Sequence, residues 1–379
     1  IALDGPIDGE GKEAEKKTEA ATPFCCATAI STYPMLPVRS NDPDAPIVFA
    51  REGSPICDQY KCNIYPNRII MGVADGCNWG EPPRNAARAA INAFVRYLST
   101  HQAEIGDLQY AGGLVLRALS MANAEIFKGI DTEKSMIGTT TLLGGMVLEL
   151  DTLSMDVSES EGPVADYGFV YVSIGDCKAF HWSSVTRKFS DITASNRAGT
   201  LSASDCGGRL GPHDGNLPDL RNLELGFFAC HSGDYIMIVS DGVHDNLDPA
   251  HLGFHPKDLG IEAEDWSSVP DLEAAEEVKN EYRISLLSKV INGELDSAVK
   301  KRDPDTLQEV SGEGEKPRDG IPPPLEVVNN ITSYCVETCN ASATWMATNP
   351  KGRLPKDYRL YPGKMDHTTC VCVRIGERE

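Results

Sequence analysis

The feature that most constrains this chain is a short apolar run that stops at an acid: IIMGVADG, Ile69 to Gly76, ending in Asp75-Gly76. Such a run is too short for a long helix or a membrane span and, closed by a turn signal, reads as a buried strand. An Asp at the mouth of a buried strand is held rigidly with its carboxylate facing an open cleft. The glycine after it lets the backbone turn and leaves its own carbonyl available as a ligand. The device recurs. VYVSIGDC puts Asp176 after a strand, YIMIVSDGV puts Asp241-Gly242 after another, and Asp366 in KMDHTTCVCVRI precedes a β-branched run. Singly, each is an Asp at a turn. Together they form a donor set for hard divalent cations, which prefer carboxylate and carbonyl oxygens.

The bulk numbers exclude several other readings. The chain has 379 residues, 41% of them hydrophobic and 24% charged, as in an ordinary globular protein. A net charge of -21 argues against a nucleic-acid binder, which carries basic patches. No apolar run approaches the roughly 20 residues of a membrane span. The 12 cysteines make no zinc-type CxxC pairs, and several sit in apolar runs, as Cys370 and Cys372 do. That pattern predicts free thiols in a reducing, intracellular setting, cytoplasmic or nuclear. The sequence opens at Ile1, as a processed or trimmed chain would, so a targeting peptide would not be visible.

Along the chain, residues 1–22 are expected to form a poorly ordered N-terminal segment, and residues 23–379 a single domain. Strands are expected around Cys25 to Ile30, Ile47 to Ala50 and Cys62 to Tyr65, and Asp58 lies one hairpin from Asp75. Helical spacing follows, in Ala87, Ala90, Ile91, Phe94 and Leu98, then Val115, Leu119, Ala122 and Ile126. Ser135 to Leu247 is mostly strand, broken by an acidic loop from Asp151 to Asp166. Arg187 to Pro218, with its GGRLG, reads as a plain loop. Residues 248–324 are expected to be an insertion or flap with one helix (Val278, Tyr282, Leu286, Val290), and Glu309 to Pro324 a flexible loop. A further helix near Ile331 to Met346 precedes the last strand. The order does not alternate strand and helix, which disfavours a doubly wound sheet. It predicts an α+β four-layer sandwich, two packed antiparallel β-sheets flanked by α-helices.

The acids suggest a binuclear centre in which cations activate a water and clamp phosphoryl oxygens. No GxSxG elbow or HExxH occurs. At this point the sequence resembles the metal-dependent protein serine/threonine phosphatases of type 2C. That family runs an acidic residue, Asp-Gly-His-Gly, Gly-Ser/Thr-Thr, Gly-Asp-Ser, Ser-Asp-Gly and Asp-Asn. Here stand Asp58, Asp75-Gly76, Gly138-Thr139-Thr140, Gly175-Asp176-Cys177, Ser240-Asp241-Gly242 and Asp366-His367, in that order.

The resemblance implies hydrolysis of phosphoserine and phosphothreonine in proteins at two Mn²⁺ or Mg²⁺ ions, with room for a third, weaker one. Asp75 would bridge both ions, the Gly76 carbonyl would bind one, and Asp241 and Asp366 the other. Asp58 would hold metal-bound water, and Asp176 and Asp245 would serve the third position. The partner is a phosphoprotein substrate, and the chain is expected to be a monomer. Departures are visible. Cys77 stands where the family has its leaving-group His, Asn78-Trp79 replace the following glycines, and Cys57 replaces an outer carboxylate. Arg51 is the nearest, offset candidate for the phosphate-binding Arg. The rival readings are a pseudophosphatase that docks partners and a hydrolase of small phosphoesters.

Overall fold

The computed structural model describes residues 2–6, 22–38, 48–129, 136–151, 164–197, 205–294, 320–350 and 352–376. Strands β1 (Ala2–Gly5), β2 (Cys25–Ser31), β3 (Met35–Val38), β4 (Val48–Arg51), β5 (Gln59–Tyr65) and β6 (Arg68–Ala74) precede helices α1 (Glu81–His101) and α2 (Leu108–Ile126). Strands β7 (Leu142–Glu149), β8 (Tyr167–Ile174), β9 (Lys178–Trp182), β10 (Phe189–Asp191) and β11 (Arg209–Asp214) follow. After them come β12 (Leu217–Asp219), β13 (Glu224–Cys230) and β14 (Tyr235–Val239). The chain then runs through a single turn, α3 (Asp241–His244), and the helices α4 (Leu272–Ile291) and α5 (Pro324–Thr348) into β15 (His367–Arg374).

Two sheets carry the fold, in the orders β1-β5-β6-β7-β8-β13 and β10-β9-β14-β15-β2. Every pairing in both is antiparallel. Side chains alternate across β6. Ile69, Met71 and Val73 face the second sheet, where they meet Ile236, Ile238, Val371 and Val373. Ile70 and Ala74 face outward onto Phe94, Leu98 and Leu114 of α1 and α2. Burial on both faces is why this strand is an unbroken apolar run rather than an alternating one. On the far side, Leu287, Ile291, Val328 and Ile331 of α4 and α5 cover Met237, Cys370 and Cys372. The result is the expected order of layers: helices, sheet, sheet, helices.

Local chemistry sets the helix starts. Pro82-Pro83 opens α1 after Gly80. The Asp107 carboxylate accepts the Tyr110 N–H at 2.7 Å to cap α2, and Asp271 caps α4 in the same way. All twelve cysteines are free thiols.

Three stretches differ from the sequence expectation. Ala2–Gly5 is not frayed: it pairs with β5, and Asp4 meets Lys61 at 2.7 Å. Residues 7–21 lie outside the described residues. The stretch read as a plain loop from Arg187 to Pro218 contains β10, β11 and part of β12, and Leu210 of the GGRLG run pairs with Thr140. Within residues 248–324 the expected helix forms as α4, and it packs into the helical layer over the second sheet instead of standing apart as a flap. Residues 295–319, and with them most of the expected Glu309 to Pro324 loop, lie outside the described residues, as do 152–163 of the acidic loop.

Candidate metal centre

The two sheets meet in register at one end, and the acids lie there. The β5–β6 hairpin sets Gln59 opposite Ala74, so Asp58 and Asp75, one residue further out on each strand, share that edge. In the second sheet Val239 faces Cys370. Asp241, two residues beyond β14, and Asp366, one before β15, therefore lie at the same end. Two contacts stitch the sheets together there. Thr369 Oγ1 donates to Asp58 Oδ2 at 2.8 Å, and the Cys57 N–H donates to His367 Nδ1 at 3.2 Å.

The Gly-Thr-Thr segment holds the Asp75 backbone. Thr141 N–H and Thr140 Oγ1 donate to the Asp75 carbonyl at 2.9 and 2.8 Å, and the Asp75 N–H donates to Thr141 Oγ1 at 3.1 Å. Cys77 N–H bonds the Thr139 carbonyl at 2.9 Å. Gly76 sits between these two backbone bonds, in the position of an antiparallel ladder whose carbonyl the ladder does not use. A Cβ at Gly76 would lie 2.7 Å from the Pro83 carbonyl oxygen, so only glycine lets this turn approach α1.

The carboxylates crowd one another. Burial, then the neighbouring Asp58 and Asp241, push the Asp75 carboxyl well above the usual range. Burial raises Asp58 too, against the pull of His367, Ser240 and Thr369. Asp58 Oδ1 and Asp241 Oδ1 are buried with no hydrogen-bond partner among the described residues. Orphaned carboxylate oxygens of this kind suit a hard cation.

One protein cation enters the cluster, and sequence reasoning missed it. Lys364 Nζ lies 2.5 Å from Asp241 Oδ2, 3.0 Å from Asp245 Oδ2 and 3.0 Å from Asp366 Oδ2. A signal was present: residues i and i+2 of an extended segment share a face, which sets Lys364 beside Asp366. Burial lifts the Asp241 carboxyl, but Lys364 and His244 together hold the group below its ordinary value. Asp366 is pushed up to about 8 by burial and by Asp241, with Lys364 pulling the other way. Among the described residues no three His, Cys, Asp or Glu side chains close on one point as metal ligands.

The other expected site residues are placed as follows. Asp245 is buried, touching Lys364 and, at 3.3 Å, His244 Nδ1. Asp176 is buried, and its carbonyl meets His244 Nε2 at 2.8 Å. Cys77 is half-buried, its Sγ 4.0 Å from Cys206 Sγ, and that neighbour together with burial pushes the thiol well up. Arg51 directs Nη1 to the carbonyls of Tyr33 (2.6 Å) and Ser31 (3.4 Å) rather than into the carboxylate cluster.

A scan against protein-family models finds no match. Among curated proteins, the chain is 29% identical over 238 residues to the PP2C-like domain-containing protein CG9801 of Drosophila melanogaster, across 60% of this chain. The match spans 30% of that relative's length. The solved photosystem II phosphatase PBCP shares 13% identity at a TM-score of 0.44, covering 84% of this chain and 91% of its own. The S. agalactiae serine/threonine phosphatase shares 12% at 0.44, covering 93% and 100%. The catalytic domain of PstP, solved with 2 manganese ions, shares 11% at 0.40, covering 93% and 98%. Scores this low carry no argument about activity. The 238-residue match to a PP2C-like protein and the paired antiparallel sheets agree with the type 2C resemblance that the ordered motifs carry. No helix among the described residues is long and apolar enough to cross a membrane.

Proposed function

We propose that this protein hydrolyses phosphoserine and phosphothreonine in proteins, with divalent-cation help at the Asp58, Asp75, Gly76, Asp241 and Asp366 cluster. The observation that carries this reading is an excess of buried carboxylate over protein cation at the joined ends of the sheets, with Asp58 Oδ1 and Asp241 Oδ1 left orphaned. Mn²⁺ or Mg²⁺ bound there would activate a water and neutralise the oxygens of the transferring phosphoryl group.

The protein's own residues have separate tasks. Thr140 and Thr141 fix the backbone that carries Asp75 and the Gly76 carbonyl. Asp58 is anchored through Oδ2 by Thr369, which leaves its buried Oδ1 without a hydrogen-bond partner among the described residues. Cys77 keeps its proton at neutral pH because Cys206 and burial oppose the thiolate, so Sγ–H is the group available to protonate the leaving serine oxygen.

The test is phosphate release from phosphoserine and phosphothreonine peptides with and without millimolar Mn²⁺. Turnover is expected only with the metal, and Asp75→Asn is expected to lower it at least about 100-fold. Equal turnover of small phosphomonoesters and phosphopeptides would favour the small-substrate hydrolase instead.

Cys77→Ala gives a second check. Its loss is expected to slow phosphoserine hydrolysis about 10-fold more than p-nitrophenyl phosphate hydrolysis, because only the alkoxide leaving group needs a proton. Equal slowing of both substrates would remove Cys77 from the chemistry. The pseudophosphatase reading is favoured by Lys364, which sits among three of the acids. Metal binding without turnover of any phosphopeptide would put that reading first.

A further inference from the structure

We propose that the Lys364 ammonium is a built-in cation. It fills the position between Asp241 and Asp366 that the family resemblance gives to a metal ion, and so lowers the number of divalent ions the centre holds by one. This inference rests on the reading that the cluster takes divalent ions.

The geometry is that of a filled cation position. Nζ is within 2.5 to 3.0 Å of oxygens from Asp241, Asp245 and Asp366, one bond for each of its three protons. A Mg²⁺ or Mn²⁺ ion on the Asp241 and Asp366 oxygens would sit roughly 2.0–2.2 Å from each. An ion bound to those oxygens on the side that Nζ occupies would overlap the ammonium, so the two cannot hold that position together.

The lysine is also placed there by its backbone. Its N–H donates to Asn246 Oδ1 and its carbonyl accepts from Asn246 Nδ2, each at 3.0 Å. Asn246 Nδ2 also bonds the Gly242 carbonyl at 2.7 Å, next to Asp241. Just before the lysine, the Gly363 N–H donates to the His251 carbonyl at 2.8 Å. Surface lysines ordinarily extend their ammonium into water, whereas this side chain is only 23% exposed. Its desolvation is offset by the three carboxylates.

What Lys364 leaves uncovered is the other half of the centre. The Asp75 carboxylate, the Gly76 carbonyl and the orphaned Oδ1 atoms of Asp58 and Asp241 lie outside its three bonds. They are the oxygens left for a divalent ion once the ammonium is in place, so the proposed arrangement is one metal and one ammonium where the resemblance implies two metals.

The experiment is equilibrium dialysis against Mn²⁺, with electron paramagnetic resonance as a second readout, on the wild-type chain, Lys364→Met and Lys364→Arg. One ion per chain is expected for wild type and Lys364→Arg. Two are expected for Lys364→Met, with the isolated six-line signal giving way to an exchange-coupled one. The arginine variant keeps the charge, so a disturbed fold is not mistaken for a vacated position. Equal counts in wild type and Lys364→Met overturn the proposal, because Lys364 then excludes no ion. Two ions in wild type alone do the same if the methionine variant does not fold. Equal counts of two leave the proposed metal-dependent activity standing, whereas zero in both removes that reading as well. Zero in wild type and one in Lys364→Met supports the built-in cation while removing metal-dependent catalysis from the native chain.

Discussion

Gly242→Ala is expected to abolish phosphopeptide turnover and to destabilise the fold by about 3 kcal/mol, the upper end of ordinary overpacking costs. A Cβ at this position would lie 2.0 Å from the His367 carbonyl oxygen and 2.8 Å from Thr368 Oγ1. The first of these is backbone at the head of β15, where His367 is already in register with Ser31 of β2. It has no rotamer to give. The turn carrying Asp241 must therefore move away from β15, which separates Asp241 from Asp366 and breaks the Asn246 link between the Gly242 and Lys364 carbonyls. Denaturant midpoints and phosphate release measured on the same preparations check this. A midpoint equal to wild type would mean that α3 and β15 are less tightly docked than the contact implies.

The same close packing explains which parts of the molecule could be read from the sequence. Strands β6, β8 and β14 are buried on both faces and appear as continuous apolar runs, and α1 and α2 show their period because one face of each lies on β6 to β8. The acids were legible because each follows or precedes such a run. β13 was not singled out. As an edge strand it leaves Leu225 and Phe227 on the surface, so the apolar residues of ELGFFAC do not mark its covered face. β1 is four residues long, and its pairing with β5 is a tertiary fact that no local pattern records. β11 carries Gly211 and Pro212 and is held by Thr140 and β12, so composition argued for a loop where pairing made a strand. Lys364 was passed over for a different reason. Its i, i+2 relation to Asp366 is visible in the sequence, but its approach to Asp241 and Asp245 is a tertiary fact.

Asp248→Asn is expected to cost about 3 kcal/mol at neutral pH, with a penalty that shrinks in acid. Asp248 lies just past the acidic turn, buried, with Oδ2 2.8 Å from Arg283 Nη1 and Oδ1 3.5 Å from Lys279 Nζ of α4. Arg283 is itself 4% exposed and also pairs with Glu276. Removing the Asp248 charge leaves a buried guanidinium with one carboxylate instead of two, and breaking such pairs costs about 3–5 kcal/mol. Glu276 keeps the expected value at the low end. Burial alone would raise the Asp248 carboxyl, but Lys279 and Arg283 outweigh it and bring the group from 3.8 down to about 2. A depressed carboxyl stabilises the fold above its unfolded value and loses that contribution as pH falls through its folded value. The wild-type advantage should therefore be complete above about pH 5 and fall by about 2 kcal/mol between pH 4 and pH 2. Urea titrations of both proteins at pH 7 and near pH 2.5 read this directly. A gap that stays constant across that range would mean that Asp248 supports α4 by packing and by its bond to the Ala250 N–H, not by charge. A gap that closes in acid would show that an ion pair anchors α4 beside the turn that carries Asp241 and Asp245, and so that the helical layer helps to hold the clustered acids in place.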